Sequence, residues 1–126
     1  MVVEFGVLER AVASLKEALS RPPANDLERD GVIQRFEYTF ELLWKTSKRA
    51  LDTMDIKSSS PRSVIRDLAQ QGLISDGSAW MAMLYARNYT SRIYNESVAK
   101  WVFSVCLPFL HAAESLILKL KAEVQR

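Results

Sequence analysis

Breaks in the apolar rhythm are few in this chain, and the segments between them are too long to be strands. Four glycines and four prolines among 126 residues leave little turn material for a many-stranded sheet. Pro22-Pro23 closes the first segment, because proline lacks an amide donor and disfavours helical geometry in the residue before it. Upstream, from Val3 to Leu19, residues Val3, Val7 or Leu8, Ala11 or Val12, Leu15 and Leu19 recur at the period of one helical stripe. A second stripe from about Leu27 to Met54 is made by Val32, Phe36, Phe40, Leu43, Ser47, Ala50 or Leu51, and Met54. Asn25 or Asp26 can accept from the free first-turn amides, and Glu28 suits the positive end of the helix. At about 1.5 Å per residue this rod spans on the order of 40 Å, with Gly31 a weak point near its start.

A polar break, Lys57-Ser58-Ser59-Ser60, leads to a helix opening in which Ser60 caps and Pro61 takes the first helical position. That short helix stops at Gly72, a residue free to adopt the left-handed cap. Ser75 or Asp76 starts the next, which carries Trp80, Met83 or Leu84, and Arg87. After a polar patch from Asn88 to Glu96, the last helix runs from about Ser97 to Val124. Its main stripe is Val98, Trp101 or Val102, Val105, Phe109, Ala112 or Ala113, Leu116 and Leu120. Pro108 lies within it, where proline costs roughly 3 kcal/mol and normally bends the rod. Around Pro108 the helix is apolar nearly all the way round, more than one bundle face needs. The excess reads either as a subunit interface or as a central helix buried on several sides.

The expectation is a single all-α domain over residues 1–126: four long helices running up-down-up-down, plus one short connecting helix. A hydrophobic share of 48% with 25% charged residues suits a globular chain rather than a disordered one. The net charge of +2 gives no bulk attraction for nucleic acid. Cys106 stands alone, which excludes an internal disulfide framework and a cysteine-built zinc site. Uninterrupted apolar runs fall short of the roughly 18 to 20 residues that cross a bilayer, so no membrane association is expected. The opening MVVEFGVLER has neither the basic region nor the cleavage signal of a secretory peptide, and the cytoplasm is the expected location.

Chemistry concentrates between Tyr85 and Glu96. YARNYTSRIYNE supplies two guanidiniums, two asparagines, two aliphatic hydroxyls, three phenols and a carboxylate. A helix merely facing solvent would favour Lys, Glu and Gln. If the segment is one helix, Arg87, Ser91 and Tyr94 share a face, and Arg92 lies about 140° from Arg87. The two arginines converge on one cleft only if the helix breaks between them, or if a second subunit supplies half of the cleft. Asn88, Thr90, Ser91 and Asn95 are equally the residue types used for caps and turns.

RFEYTFELLWK (Arg35 to Lys45), SPRSVIRDL (Ser60 to Leu68), the Gly72 to Asp76 turn and RNYTSRIYNE (Arg87 to Glu96) together resemble one family. It is the group of nucleotidyltransferase substrate-binding proteins within the HEPN superfamily, and the resemblance runs from about Leu8 to Leu120. It implies a HEPN-like four-helix bundle that forms a homodimer and assembles with a separate minimal nucleotidyltransferase (MNT). Many such pairs resemble toxin–antitoxin systems, in which the HEPN subunit is a metal-independent RNase silenced by adenylylation of a tyrosine. The family signature is an arginine, roughly four to six residues, a histidine, and that tyrosine two positions on. Arg87 matches the arginine and Tyr94 the tyrosine, but Arg92 stands where the family has histidine.

That departure bears directly on catalysis. Cleaving RNA without a metal needs a group that takes the 2′-hydroxyl proton, and histidine titrates near neutrality. Arginine stays protonated to about pH 12 or above and cannot be that base, although its fork can hold a phosphate. The expectation is a silent or weakened subunit in which Arg87, Arg92, Asn88 and Ser91 bind phosphate, RNA or nucleotide, and Tyr94 is the modifiable hydroxyl. Two alternatives are an active RNase toxin and a helical adaptor whose polar patch is only a turn.

Other candidates are weaker. Glu37 and Glu41 can act as an acid–base or metal-binding pair, yet Glu41 also precedes Lys45 in the favourable order for a surface ion pair. The family resemblance keeps Glu37 as a cleft residue. His111 and Cys106 face different sides of the last helix, so no metal site is expected, and no cofactor either. Trp44, Trp80 and Trp101 sit among apolar residues as core or interface anchors, and Arg62 and Arg66 are undecided between phosphate binding and charge balance. Without a phosphate loop or a Gly-Ser signature with paired aspartates, the chain is not itself the nucleotidyl-transferring enzyme.

Overall fold

The computed structural model describes residues 2–126. Its helices are α1 (Gly6–Ala18), α2 (Asp26–Thr53), α3 (Pro61–Gln70), α4 (Gly77–Asn88) and α5 (Glu96–Val124), with a 3₁₀ turn at Thr90–Arg92 between the last two. Among the described residues there is no strand, and the all-α bundle with one short extra helix is what the chain forms.

The helix boundaries follow local chemistry. Asn25 accepts from the Glu28 amide at 2.9 Å and opens α2. Ser60 and Ser63 form a reciprocal capping box around Pro61, which satisfies the Ser60 and Ser63 amides at the start of α3. Gly72 follows α3 with φ +72°, the left-handed conformation that a side chain would resist. Asp76 caps α4 through the Ala79 amide at 3.0 Å. Asn95 caps α5, accepting from Ser97 and Val98. Only α1 starts without a side-chain cap, at Gly6 rather than Val3.

Helix α2, with 28 residues, touches every other element of the bundle. Its Phe36 and Phe40 meet Phe109 of α5 with ring centroids 5.0 and 5.7 Å apart, and Trp80 of α4 closes the cluster at 6.1 Å from Phe109. These edge-on and tilted contacts suit the ring quadrupoles. A half-buried polar clamp ties the rods at one end: Arg29 of α2 donates to both carboxylate oxygens of the exposed Glu96, the first residue of α5, at 2.9 and 2.8 Å. Asp30 and Asp26 complete its surroundings.

Helix α5 runs through Pro108 as one element, with Pro108 on its exposed side. Its apolar excess is partly explained by packing, since α1, α2 and α4 all lie against it. Trp101, Leu107 and Leu118 nevertheless remain exposed. Counting uncharged runs understated this helix: an 18-residue window reaches mean hydropathy 1.6, long and apolar enough on composition to cross a membrane. In the fold it lays Ala99, Val102, Cys106, Phe109, Ala113, Leu116 and Leu120 into the core.

The core holds one unpaired hydroxyl. Ser47 Oγ is buried without a hydrogen-bond partner, beside a void of about 10 Å³ among Phe40, Leu43, Val64 and Trp80. Leaving such a group unsatisfied costs about 1–3 kcal/mol. Ser47→Ala is therefore expected to hold or raise the urea midpoint, whereas Phe109→Ala should cost about 3–5 kcal/mol by opening the aromatic cluster. A clear loss of stability in Ser47→Ala would show that its hydroxyl is satisfied by an ordered water.

Candidate functional site

The polar patch does not form one continuous helix. Helix α4 ends at Asn88, the chain turns through Tyr89 to Arg92, and α5 begins after the Asn95 cap. Thr90 fixes this break. Its buried hydroxyl lies 2.8 Å from both Glu37 Oε2 and the Arg87 carbonyl, so one proton is shared between two acceptors. The shared helical face of Arg87, Ser91 and Tyr94 is lost in consequence.

What the break creates is a cleft of about 470 Å³ between α2 and the end of α4, lined by Glu37, Tyr38, Glu41, Arg87, Asn88, Thr90 and Ser91. Arg87 is half-buried there and forms an ion pair through Nη2 with Glu41 Oε2. Its Nη1 donates to Asn88 Oδ1 at 3.2 Å. Glu41 is the hub of the cleft, because it also accepts from Trp44 Nε1 at 3.1 Å and pairs with Lys45 at 3.2 Å. Partial burial pushes its carboxyl upward, but the hydrogen bonds from Trp44, Lys45 and Arg87, with the charge of Arg87, outweigh that and hold it below the ordinary glutamate value.

Of the residues expected at the site, Arg87, Asn88, Ser91 and Glu37 come together in this cleft. Arg92 and Tyr94 are not among its lining. The Arg92 guanidinium stacks over the Tyr89 ring, 5.3 Å from its centroid, and Tyr94 is 87% exposed. Tyr38 is a cleft residue that sequence reasoning did not name; Glu41, weighed there as a carboxylate pair with Glu37 or an ion pair with Lys45, and Thr90, weighed as a turn residue, also line the cleft. The Glu41–Lys45 pair it offered does exist, but it is only one of Glu41's contacts. The cleft wall carries two carboxylates against one guanidinium, so Arg87 meets an anion only by sharing or leaving Glu41.

Beside the cleft lies an aromatic surface. Tyr85, Tyr89 and Trp101 pack with centroids 5.2 to 6.0 Å apart, and the Tyr85 and Tyr89 hydroxyls are 3.4 Å from each other. That hydrogen bond, followed by the charge of Tyr89 and slight desolvation, raises the Tyr85 phenol above its ordinary value. His111 is exposed next to Glu114 and lies outside the cleft. Burial pushes the Cys106 thiol up to about 12, which leaves it unreactive. Among the described residues no group of three or more His, Cys, Asp and Glu is placed to hold a metal ion.

Residues 3–122 match the family described as nucleotidyltransferase substrate binding protein like. The chain belongs to the nucleotidyltransferase substrate-binding family. Among its relatives, a Haemophilus influenzae protein called probable ribonuclease HepT is 34% identical over 100 residues, covering 75% of this chain and 68% of that protein. A crystal structure of a Thermus thermophilus protein superposes with a TM-score of 0.85 at 33% identity, over 90% of this chain and 98% of that one. Another structure, from Haemophilus influenzae, is described as revealing the fold of a substrate binding domain of a nucleotidyltransferase. It gives a TM-score of 0.81 at 30% identity, over 94% of this chain and 99% of that one.

The depressed carboxyl sets a pH dependence for this family member. Glu41 binds its proton less readily folded than unfolded, so its pairing stabilises the fold above about pH 4.5 and is lost as pH falls through the depressed value. Stability measured by urea at stepped pH should therefore fall more steeply below pH 4.5 in the wild type than in Glu41→Gln. Parallel curves would mean that the Arg87–Glu41 pair adds nothing to folding.

Proposed function

We propose that the chain is the partner and target subunit of a separate minimal nucleotidyltransferase, in a HEPN/MNT toxin–antitoxin-like pair, with a degenerate RNase motif. The observation that carries this reading is the placement of Arg92 and Tyr94. The residue at the histidine position is a permanent cation stacked on Tyr89, outside the cleft, and Tyr94 is 87% exposed. The histidine of the motif is missing, while a phenol is offered where another protein can reach it. In the transfer, the Tyr94 oxygen would bond to the α-phosphorus of ATP and displace pyrophosphate, its proton passing to a base of the transferase.

Arg87, with Asn88 and Ser91, is the part of the cleft suited to a phosphate of RNA or nucleotide. Homodimerisation fits the exposed aromatic surface of Tyr85 and Trp101. A second protomer docked there would change the charge balance of the cleft by bringing further groups near Arg87.

An active RNase is the second reading, favoured by the name of the relative, probable ribonuclease HepT. Against it stands the chemistry of Arg92, which stays protonated near neutral pH and so cannot accept the 2′-hydroxyl proton. The first experiment incubates the chain with ATP and the minimal nucleotidyltransferase encoded beside it, and follows mass. Added AMP that disappears in Tyr94→Phe is the expected result; no complex and no adduct would overturn the reading. The second compares RNA cleavage by the wild type and Arg92→His. Cleavage is expected to rise in the variant, and strong wild-type cleavage abolished by Arg87→Ala would establish the RNase instead.

A further inference from the structure

Where α1 turns into α2 lies a second cleft, of about 410 Å³, within the range of small-molecule sites and joined to the first through the Tyr38–Ser14 hydrogen bond. Ser14, Glu17, Arg21, Leu27, Glu28 and Arg35 contribute to its wall. Arg35, the first residue of the RFEYTFELLWK motif, is half-buried and has no carboxylate partner among the described residues. Its Nε donates to Ser14 Oγ at 3.2 Å and its Nη1 to the Gly31 carbonyl at 2.9 Å, both neutral acceptors. Half-buried guanidiniums are ordinarily matched by an anion. Ser14 Oγ also accepts from the Tyr38 hydroxyl at 3.1 Å, which leaves its own proton for a further acceptor. Arg21, exposed on the same wall, is likewise in no ion pair among the described residues.

The opposing groups narrow the ligand. Glu17 and Glu28 balance the two arginines, so a bare anion would meet a wall of no net charge. Glu28 Oε1 is engaged by the Ala24 amide at 3.0 Å, and its second oxygen is left to accept from a hydroxyl or amino donor. Leu27, 82% exposed, adds an apolar surface. A ligand that satisfies all three brings an oxyanion such as a phosphate, hydrogen-bond donors and a flat or apolar part. We propose that this cleft binds a small phosphate monoester of a hydroxylated sugar, of the nucleoside monophosphate class. The phosphate sits between Arg21, Arg35 and Ser14, and the sugar hydroxyls donate to Glu17 and Glu28. None of these contacts depends on the function proposed for the Arg87 cleft.

Isothermal titration of the full chain with adenosine 5′-monophosphate, ribose 5-phosphate, adenosine and inorganic phosphate tests it. Amide NMR shifts locate the site. Both phosphate esters are expected to saturate, adenosine and inorganic phosphate to bind far more weakly, and shifts to centre on Ser14, Gly31 and Arg35. Arg21→Gln, at an exposed position, and Arg35→Lys, which keeps the charge but loses the fork, should each weaken the esters by roughly tenfold or more, the loss of one charge-assisted hydrogen bond. The proposal is overturned if neither ester saturates, if inorganic phosphate binds as tightly as the esters, or if both variants bind like the wild type. Shifts centred on Asn88 and Ser91 would equally overturn it, by assigning the ligand to the other cleft.

Discussion

The edge-on contact of Phe109 with Phe36, and the Phe40 and Trp80 rings around it, locks three helices in rotation as well as in distance. Phe36 and Phe40 lie one helical turn apart on the buried side of α2. Glu37 and Glu41 follow each by one residue and are thus turned about 100° away, toward the end of α4. The aromatic cluster therefore fixes where the two carboxylates stand. Thr90 and Arg87 then reach them from α4 and the turn after it. The polar cleft is a by-product of core register, which is why its geometry is sensitive to residues that never touch it.

Within the cleft, charge decides what the arginine can do. Arg87 is tethered by Glu41, which is in turn held by Trp44 and Lys45. A guanidinium so paired is positioned well but partly neutralised, and an incoming phosphate must compete with a carboxylate already in place. This differs from the plain cationic pocket suggested by two arginines in one short segment. Arg92 adds no charge to the cleft wall, because its guanidinium is committed to the face of Tyr89.

Much of the fold was legible because its boundaries are made by local chemistry. Ser60 before Pro61, Gly72, Asp76 and the long stripes of α2 and α5 each act within a few residues, and periodicity reports them directly. The site was legible only in part. Arg87, Asn88, Ser91 and Glu37 were found through residue type and family motif, yet Glu41 looked like half of a surface ion pair with Lys45. Its second partner lies 46 positions away. Thr90 looked like a turn residue and is one, but its link to Glu37 crosses between helices. No linear spacing encodes such a crossing. Arg92 was placed with Arg87 by the family motif and Tyr94 by the motif and a shared helical face; the helix does break between them, but the 3₁₀ turn carries both out of the cleft lining.

The segment between α4 and α5 is anchored to α2 at both ends, by Thr90 on Glu37 and by Glu96 on Arg29. It is an arch on two piers rather than a free loop, and Tyr94 stands on its outer curve. The backbone beneath that phenol therefore has little entropy left to lose if a partner docks on it. Exposure of the hydroxyl and steadiness of the backbone that carries it are thus set by different residues.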